Sequence, residues 1–207
     1  MTNRTTAARP FPWLPIIGGL VAIVLITVVV LTFDSGGSGG VEFGEPTITG
    51  AALPRFDDSA TDPAAGMPAP TVEGADFAGE SVSITSDGRP KIIIFLAHWC
   101  SVCQAEVPVV QDWLDAGLKP DGVDIYSVAT SVAETRPNYP PSEWLASEGW
   151  TPPVLLDDTE YAVGDVFGLT AFPFWVFVNA DGTVAGRLTG ALPAEAITQI
   201  AGSLLDG

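Results

Sequence analysis

Residues 98–108 read HWCSVCQAEVP, and the two cysteines there, Cys100 and Cys103, are the only two in a chain of 207 residues. Two thiols separated by two residues can form half of a metal site, act as a structural staple, or open and close as a redox pair. A zinc site takes about four ligands. The chain offers a single histidine, His98, two residues before Cys100, so the set is incomplete unless carboxylates or a second chain contribute. A bridge enclosing two residues removes little entropy from the unfolded chain and makes a poor staple, even in an oxidising compartment. The redox reading has a positive argument. Cys100 falls where an apolar run gives way to helix-forming residues, which puts its sulfur at a helix N-terminus. Unpaired N–H groups and the positive end of the helix dipole favour a thiolate there. Cys103, one turn later on the same face, can then attack a mixed disulfide formed at Cys100 and release the product. The cysteines would carry the two electrons themselves, so neither a dissociable cofactor nor a metal is expected.

The elements that must hold this pair follow from hydrophobic periodicity. KIIIFLA (91–97) is a continuous apolar run of strand length, as in a central strand covered on both faces. A helix is predicted from about Cys100 to Ala116, then a second buried strand over VDIYSVAT (123–130). PSEWLASEG (141–149) carries helix start and stop signals, PVLLDD is a short strand, and TEYAVGDVFG (159–168) a short helix. FWVFVNADGTVAGRLTG (174–190) reads as a hairpin turning at Asp181-Gly182. The last helix presents Ile197, Ile200, Ala201, Leu204 and Leu205 on one face. Upstream, TVEGADFAGESVSIT offers two short strands around Ala78-Gly79. Strand and helix alternating before a closing hairpin imply an α/β fold, with a central mixed sheet flanked by helices.

Composition divides the rest. Residues 1–13 form a short N-terminus ending at an interfacial Trp13, and 14–33 (LPIIGGLVAIVLITVVVLTF) are almost wholly apolar. Twenty residues of helix span about 30 Å, the hydrocarbon thickness of a bilayer, so a single transmembrane anchor is expected. A cleaved signal peptide would have a shorter apolar region and a small-x-small site, which is missing here. Arg4 and Arg9 precede the span and all 25 acidic residues follow it, which places the N-terminus in the cytoplasm and the remainder outside. Six basic residues against 25 acidic ones leave that remainder at −19, a balance that repels nucleic acid and anionic lipid. Residues 34–65, rich in Gly, Pro and Asp, read as a flexible linker whose later part lies extended along the domain.

FLAHWCSVCQAEVP resembles the active-site segment of thioredoxin-fold proteins, and the layout GMPAP…WCxxCxxExP after an N-terminal anchor resembles the membrane-tethered TlpA/ResA-like thiol-disulfide oxidoreductases. The resemblance covers residues 66–207. It implies a thioredoxin-like domain there, exchanging disulfides with protein thiols or disulfides through a redox-active Cys100–Cys103 bridge. Cys100 would attack and Cys103 resolve. It further implies an extracytoplasmic location, a membrane or extracytoplasmic redox partner, and a monomeric state. Pro108 matches the proline in the family's first helix, and AFPFWVFVNADG matches the cis-proline segment, placing Phe172 and Pro173 opposite the cysteines as substrate-binding residues. Trp99 is expected to shield the site, and His98 to serve structure. The sequence departs from many thioredoxins at Ile94, where they carry a buried acid, so Glu106 is the candidate for proton transfer to and from Cys103, with a solvated helix carboxylate as the alternative. Ser101-Val102 supplies no imidazole to the pair, which argues for a less oxidising couple than in DsbA-like proteins. Tyr139, Trp144 and Trp150, in the proline-rich 134–153 segment, read as a packed helix with bounding loops, with a partner surface as the alternative. The competing class is a thioredoxin-fold binding or assembly module, metallochaperone-like, with little redox turnover.

Overall fold

All six residues of the strand Lys91–Leu96 are buried, as its unbroken apolar run predicts. A computed structural model describes residues 41–58 and 61–206. In it this strand, β4, lies between β5 (Asp124–Ala129), parallel to it, and β7 (Phe174–Val178), antiparallel. β6 (Val154–Leu156) extends the sheet beside β5 and β8 (Val184–Thr189) beside β7, giving the order β6-β5-β4-β7-β8. Parallel neighbours need crossovers, and α1 (Ser101–Asp115) and α2 (Pro141–Ser147) supply them. α3 (Ala162–Phe167) links β6 to β7, and α4 (Ala194–Asp206) follows β8. Antiparallel β7 and β8 need only the turn at Asp181-Gly182, where Gly182 takes φ 85° and the Asp181 carboxylate accepts from the Thr183 N–H.

Side chains alternate across β4. Ile92, Ile94 and Leu96 face a cluster containing Cys103, Val107, Val110 and Trp113 of α1 and Ile197, Ala201 and Leu204 of α4. Ile93 and Phe95 face a second cluster with Phe167 of α3. Each fully buried aliphatic side chain contributes about 1.5–3 kcal/mol, so β4 anchors both layers and presents the residues after Leu96 at a fixed edge. α3 starts where Asp157, itself buried, accepts from the N–H groups of Val163 and Gly164 and from Thr130 Oγ1.

A separate antiparallel sheet joins β1 (Thr47–Thr49), β2 (Thr71–Ala75) and β3 (Ser81–Ile84). The β2–β3 turn at Ala78-Gly79 is the predicted one, with Asp76 accepting from the N–H groups of Ala78 and Glu80. The described part of 34–65, read from the sequence as a linker, carries β1 and packs on the domain. Leu53, Phe56 and Ala64 are buried in the second cluster. Glu42 accepts from the Ser142 hydroxyl at 2.5 Å, and the Gly44 N–H donates to the Asp157 carbonyl at 2.9 Å. Arg187 of β8, 3 % exposed, grips Asp62 through two nitrogens at 2.7 and 3.0 Å and donates to the carbonyls of Pro54 and Phe167, each at 2.8 Å. Composition reads as a linker because apolar residues are sparse there. The few that exist pack beside Phe167 of α3 in the second cluster, and a buried guanidinium demands the carboxylate. The apolar run 14–33, on which the anchor rests, lies outside the described residues; among the described ones no helix is long and apolar enough to cross a membrane.

Candidate active site

β4 ends at Leu96, and the chain turns through Ala97, His98 and Trp99 to Cys100, which occupies the N-cap position of α1. Its backbone is extended (φ −77°, ψ 118°), and its carbonyl accepts the first helical bond, from Gln104 N–H at 3.0 Å. No side chain caps this terminus and no acidic residue stands in the first turn. The Cys100 sulfur therefore sits where a capping oxygen would otherwise be, beside N–H groups that have no helical partner. Cys100 is half-buried and Cys103 wholly so, and both are free thiols. Burial pushes the Cys103 thiol far above the ordinary cysteine range, and contact with the Cys100 thiol and the nearby Glu106 charge push the same way.

Glu106 is not the solvated carboxylate of the alternative reading. It is 2 % exposed, one helical turn beyond Cys103, and its Oε1 accepts from the Leu192 N–H at 2.8 Å. Burial raises its pKa above the ordinary glutamate value, against the lowering effect of that hydrogen bond. Opposite Cys100, the Phe172–Pro173 peptide is cis and Pro173 is buried. The Phe172 carbonyl accepts from Cys100 Sγ at 3.8 Å, and the Phe172 ring meets Trp99 edge-on, 5.8 Å between centroids. Gly190, directly after β8, holds this turn in place by donating its N–H to the Pro173 carbonyl at 2.8 Å.

The tertiary structure adds what local spacing did not contain. His98, 1 % exposed, accepts from the Ala133 N–H at Nε2 (3.1 Å) and donates from Nδ1 to the Pro137 carbonyl (2.7 Å). Both ring nitrogens are engaged, so the imidazole is withheld from the cysteine pair. Burial holds its pKa below the usual histidine value. Trp99 Nε1 donates to the Ser131 carbonyl at 2.7 Å, and the Arg136 guanidinium lies 4.7 Å above the Trp99 ring. The chain before Cys100 is thus stapled to the 131–137 loop. Of the aromatic residues in 134–153, Trp144 is buried, Trp150 Nε1 donates to Ser127 Oγ, and Tyr139 is exposed and touches the His98 ring edge. Among the described residues no group of three or more His, Cys, Asp and Glu side chains is placed to hold a metal ion.

The Redoxin family model matches residues 64–204, from the segment before β2 into the last turn of α4. The chain belongs to the Redoxin family. Its relatives include the thiol:disulfide interchange protein HelX of Rhodobacter capsulatus, 28 % identical over 69 % of this chain and 78 % of that protein. The thiol-disulfide oxidoreductase ResA of Geobacillus thermodenitrificans is 26 % identical over 70 % of this chain and 80 % of its own length. A thioredoxin-family thiol:disulfide interchange protein of Chlorobium tepidum superposes with a TM-score of 0.56, at 25 % identity, covering 67 % of this chain and 95 % of that one. This redoxin is accordingly a thiol-disulfide oxidoreductase of the TlpA/ResA-like type with a thioredoxin-like α/β fold. Of the predicted site residues, Phe172 meets both Cys100 Sγ and the Trp99 ring, Pro173 follows it in the cis peptide, and Glu106 lies one helical turn from Cys103.

Proposed function

We propose that this redoxin exchanges disulfides with protein substrates outside the cytoplasm, held at the membrane by residues 14–33, with Cys100 attacking and Cys103 resolving. One observation carries the division of labour: Cys100 is accessible at an uncapped helix N-terminus, whereas Cys103 is sealed in the apolar cluster beneath it. In the reducing direction, the Cys100 thiolate attacks one sulfur of a substrate disulfide. That S–S bond breaks, and the leaving sulfur departs with the electron pair and takes a proton. Cys103 then gives up its proton and attacks Cys100 Sγ, forming the Cys100–Cys103 disulfide while the second substrate sulfur leaves and is protonated. Two electrons pass to the substrate, and the reverse sequence oxidises a substrate dithiol. The proton on buried Cys103 needs an acceptor that is also inside, and Glu106 is the carboxylate one turn away. Phe172 and Pro173 form the opposite wall of the groove, where an extended substrate segment pairs with backbone, and Trp99 shields the mixed disulfide from solvent.

Substitution tests the roles. Cys103→Ser should keep attack and lose resolution, so substrate proteins accumulate as mixed disulfides on Cys100, seen by non-reducing electrophoresis after acid quenching. Cys100→Ser should show no adducts. Adducts on the Cys100→Ser protein alone would reverse the assignment, and none on either would favour a binding module. For the location, protease added to intact spheroplasts should digest the domain; complete protection would refute the topology.

A further inference from the structure

Six basic residues follow position 33 in a chain of net charge −17, and five are spoken for. Arg55, Arg89, Lys91 and Arg187 are ion-paired with Asp165, Asp124, Asp87 and Asp62. Lys119 donates to the carbonyls of Pro120 and Val123. Arg136 has no carboxylate partner among the described residues; its guanidinium instead lies 4.7 Å above the Trp99 ring, on the residue adjacent to Cys100. The loop that carries it is fixed in the same place. His98 binds the N–H of Ala133 and the carbonyl of Pro137, on either side of Arg136, while Trp99 binds the carbonyl of Ser131. Arg136 N–H also closes a turn onto the Ala133 carbonyl at 3.0 Å.

A guanidinium stacked on an aromatic ring keeps its in-plane N–H donors free for a carboxylate, in a geometry an ammonium cannot copy. The ring lowers the entropy the side chain would lose on pairing. At physiological salt the Debye length is about 8 Å, so the protein's overall negative charge is screened at a distance, and the nearest charge governs what touches the groove. The nearest acidic neighbour along the loop, Glu134, makes no ion pair with Arg136.

Resting on the proposed exchange reaction, we propose that Arg136 is a specificity-determining residue, accepting a carboxylate from substrate segments that carry an acidic side chain beside the reacting cysteine. It reverses, at the groove alone, the charge preference of an acidic protein.

Two readouts on the full-length reduced protein in non-ionic detergent test this. The first needs no substrate: the rate of alkylation of Cys100 by anionic iodoacetate divided by that with neutral iodoacetamide. Both reagents attack the same sulfur, so changes in thiolate fraction or folding cancel in the ratio. Arg136→Gln should lower the ratio about two- to fivefold at low ionic strength, the worth of an exposed ion pair, and Arg136→Lys should restore part of it. An unchanged ratio would overturn the proposal. The second compares disulfide peptides that differ only in Asp, Asn or Lys next to the cystine. Faster exchange with Asp, lost in Arg136→Gln and weakened by salt, supports recognition. Equal rates for all three overturn it even if the alkylation ratio responds. Absence of exchange with every peptide would sink the proposed reaction, and the alkylation ratio would then still decide whether Arg136 presents its charge at Cys100.

Discussion

Replacing His98 by alanine removes the staple beneath the active site, and the structure sets the size of the effect. The imidazole is 1 % exposed, makes two hydrogen bonds and touches Tyr139. Its loss leaves the Ala133 N–H and Pro137 carbonyl without partners and opens a cavity the size of the ring. Water can reach Pro137 and Ala133, which are not buried, so the penalty belongs in the lower part of the range for core truncations, about 2–4 kcal/mol at pH 7. For a domain of this size that is a fall in Tm of about 5–15 °C. The penalty should also depend on pH. Burial depresses the pKa of folded His98, while hydrogen bonding to Pro137 and the Glu42 charge oppose the shift. The unfolded chain therefore takes up this proton first, below about pH 6.5. Stability owed to His98 is complete above that pH and is lost as the pH falls toward the depressed folded value. The slope is at most about 1.4 kcal/mol per pH unit. His98 is the only histidine in the chain, so the difference between wild type and His98→Ala isolates it. Opposing slopes from Glu106 and Asp157, both raised by burial, are common to the two proteins and cancel. Urea unfolding from pH 8 to 5 should show the gap narrowing below pH 6.5. A gap under about 0.5 kcal/mol, within the range of an ordinary surface change, or one constant with pH, would refute the clamp.

Arg187→Met should cost about 3–5 kcal/mol, because it strands the Asp62 carboxylate and two backbone carbonyls; a loss below 1 kcal/mol in urea unfolding would refute the anchoring of Pro54 and Asp62 by Arg187. Glu106→Gln keeps the acceptor for Leu192 N–H and removes the charge. With a raised carboxyl pKa, the wild type holds its full Glu106 stability at low pH and loses it as the pH rises, so the variant should gain relative stability between pH 4 and 7. The same change should slow release of trapped substrate from Cys100 by about a hundredfold if Glu106 takes the Cys103 proton; unchanged single-turnover release would dismiss that role. Equilibration with glutathione should place the pair well below the DsbA value of about −120 mV; a potential near that figure would end the argument from Ser101-Val102.

Much of this protein is local and so is written along the chain. The apolar run before Cys100, the helix after it, the Asp181-Gly182 turn and the spacing of the cysteines depend on residues within a few positions of one another. Periodicity and turn chemistry report such neighbours directly, which is why β4, α1 and the β7–β8 hairpin appear where expected. Phe172 and Pro173 lie some seventy residues from the cysteines, and only a family resemblance placed them opposite; the bond from Cys100 Sγ spans 72 positions. Other features belong to the tertiary structure alone. Whether Glu106 is solvated depends on which face of α1 meets the loop at Leu192, 86 residues away. His98 and Arg136 become neighbours only because β5 lies parallel to β4 and delivers its following loop to the same sheet edge. The segment before β2 looked unstructured because composition counts apolar residues and cannot see the surface they cover. Arg187 and Asp62 meet across 125 positions, and a buried guanidinium without that carboxylate would be too costly to keep.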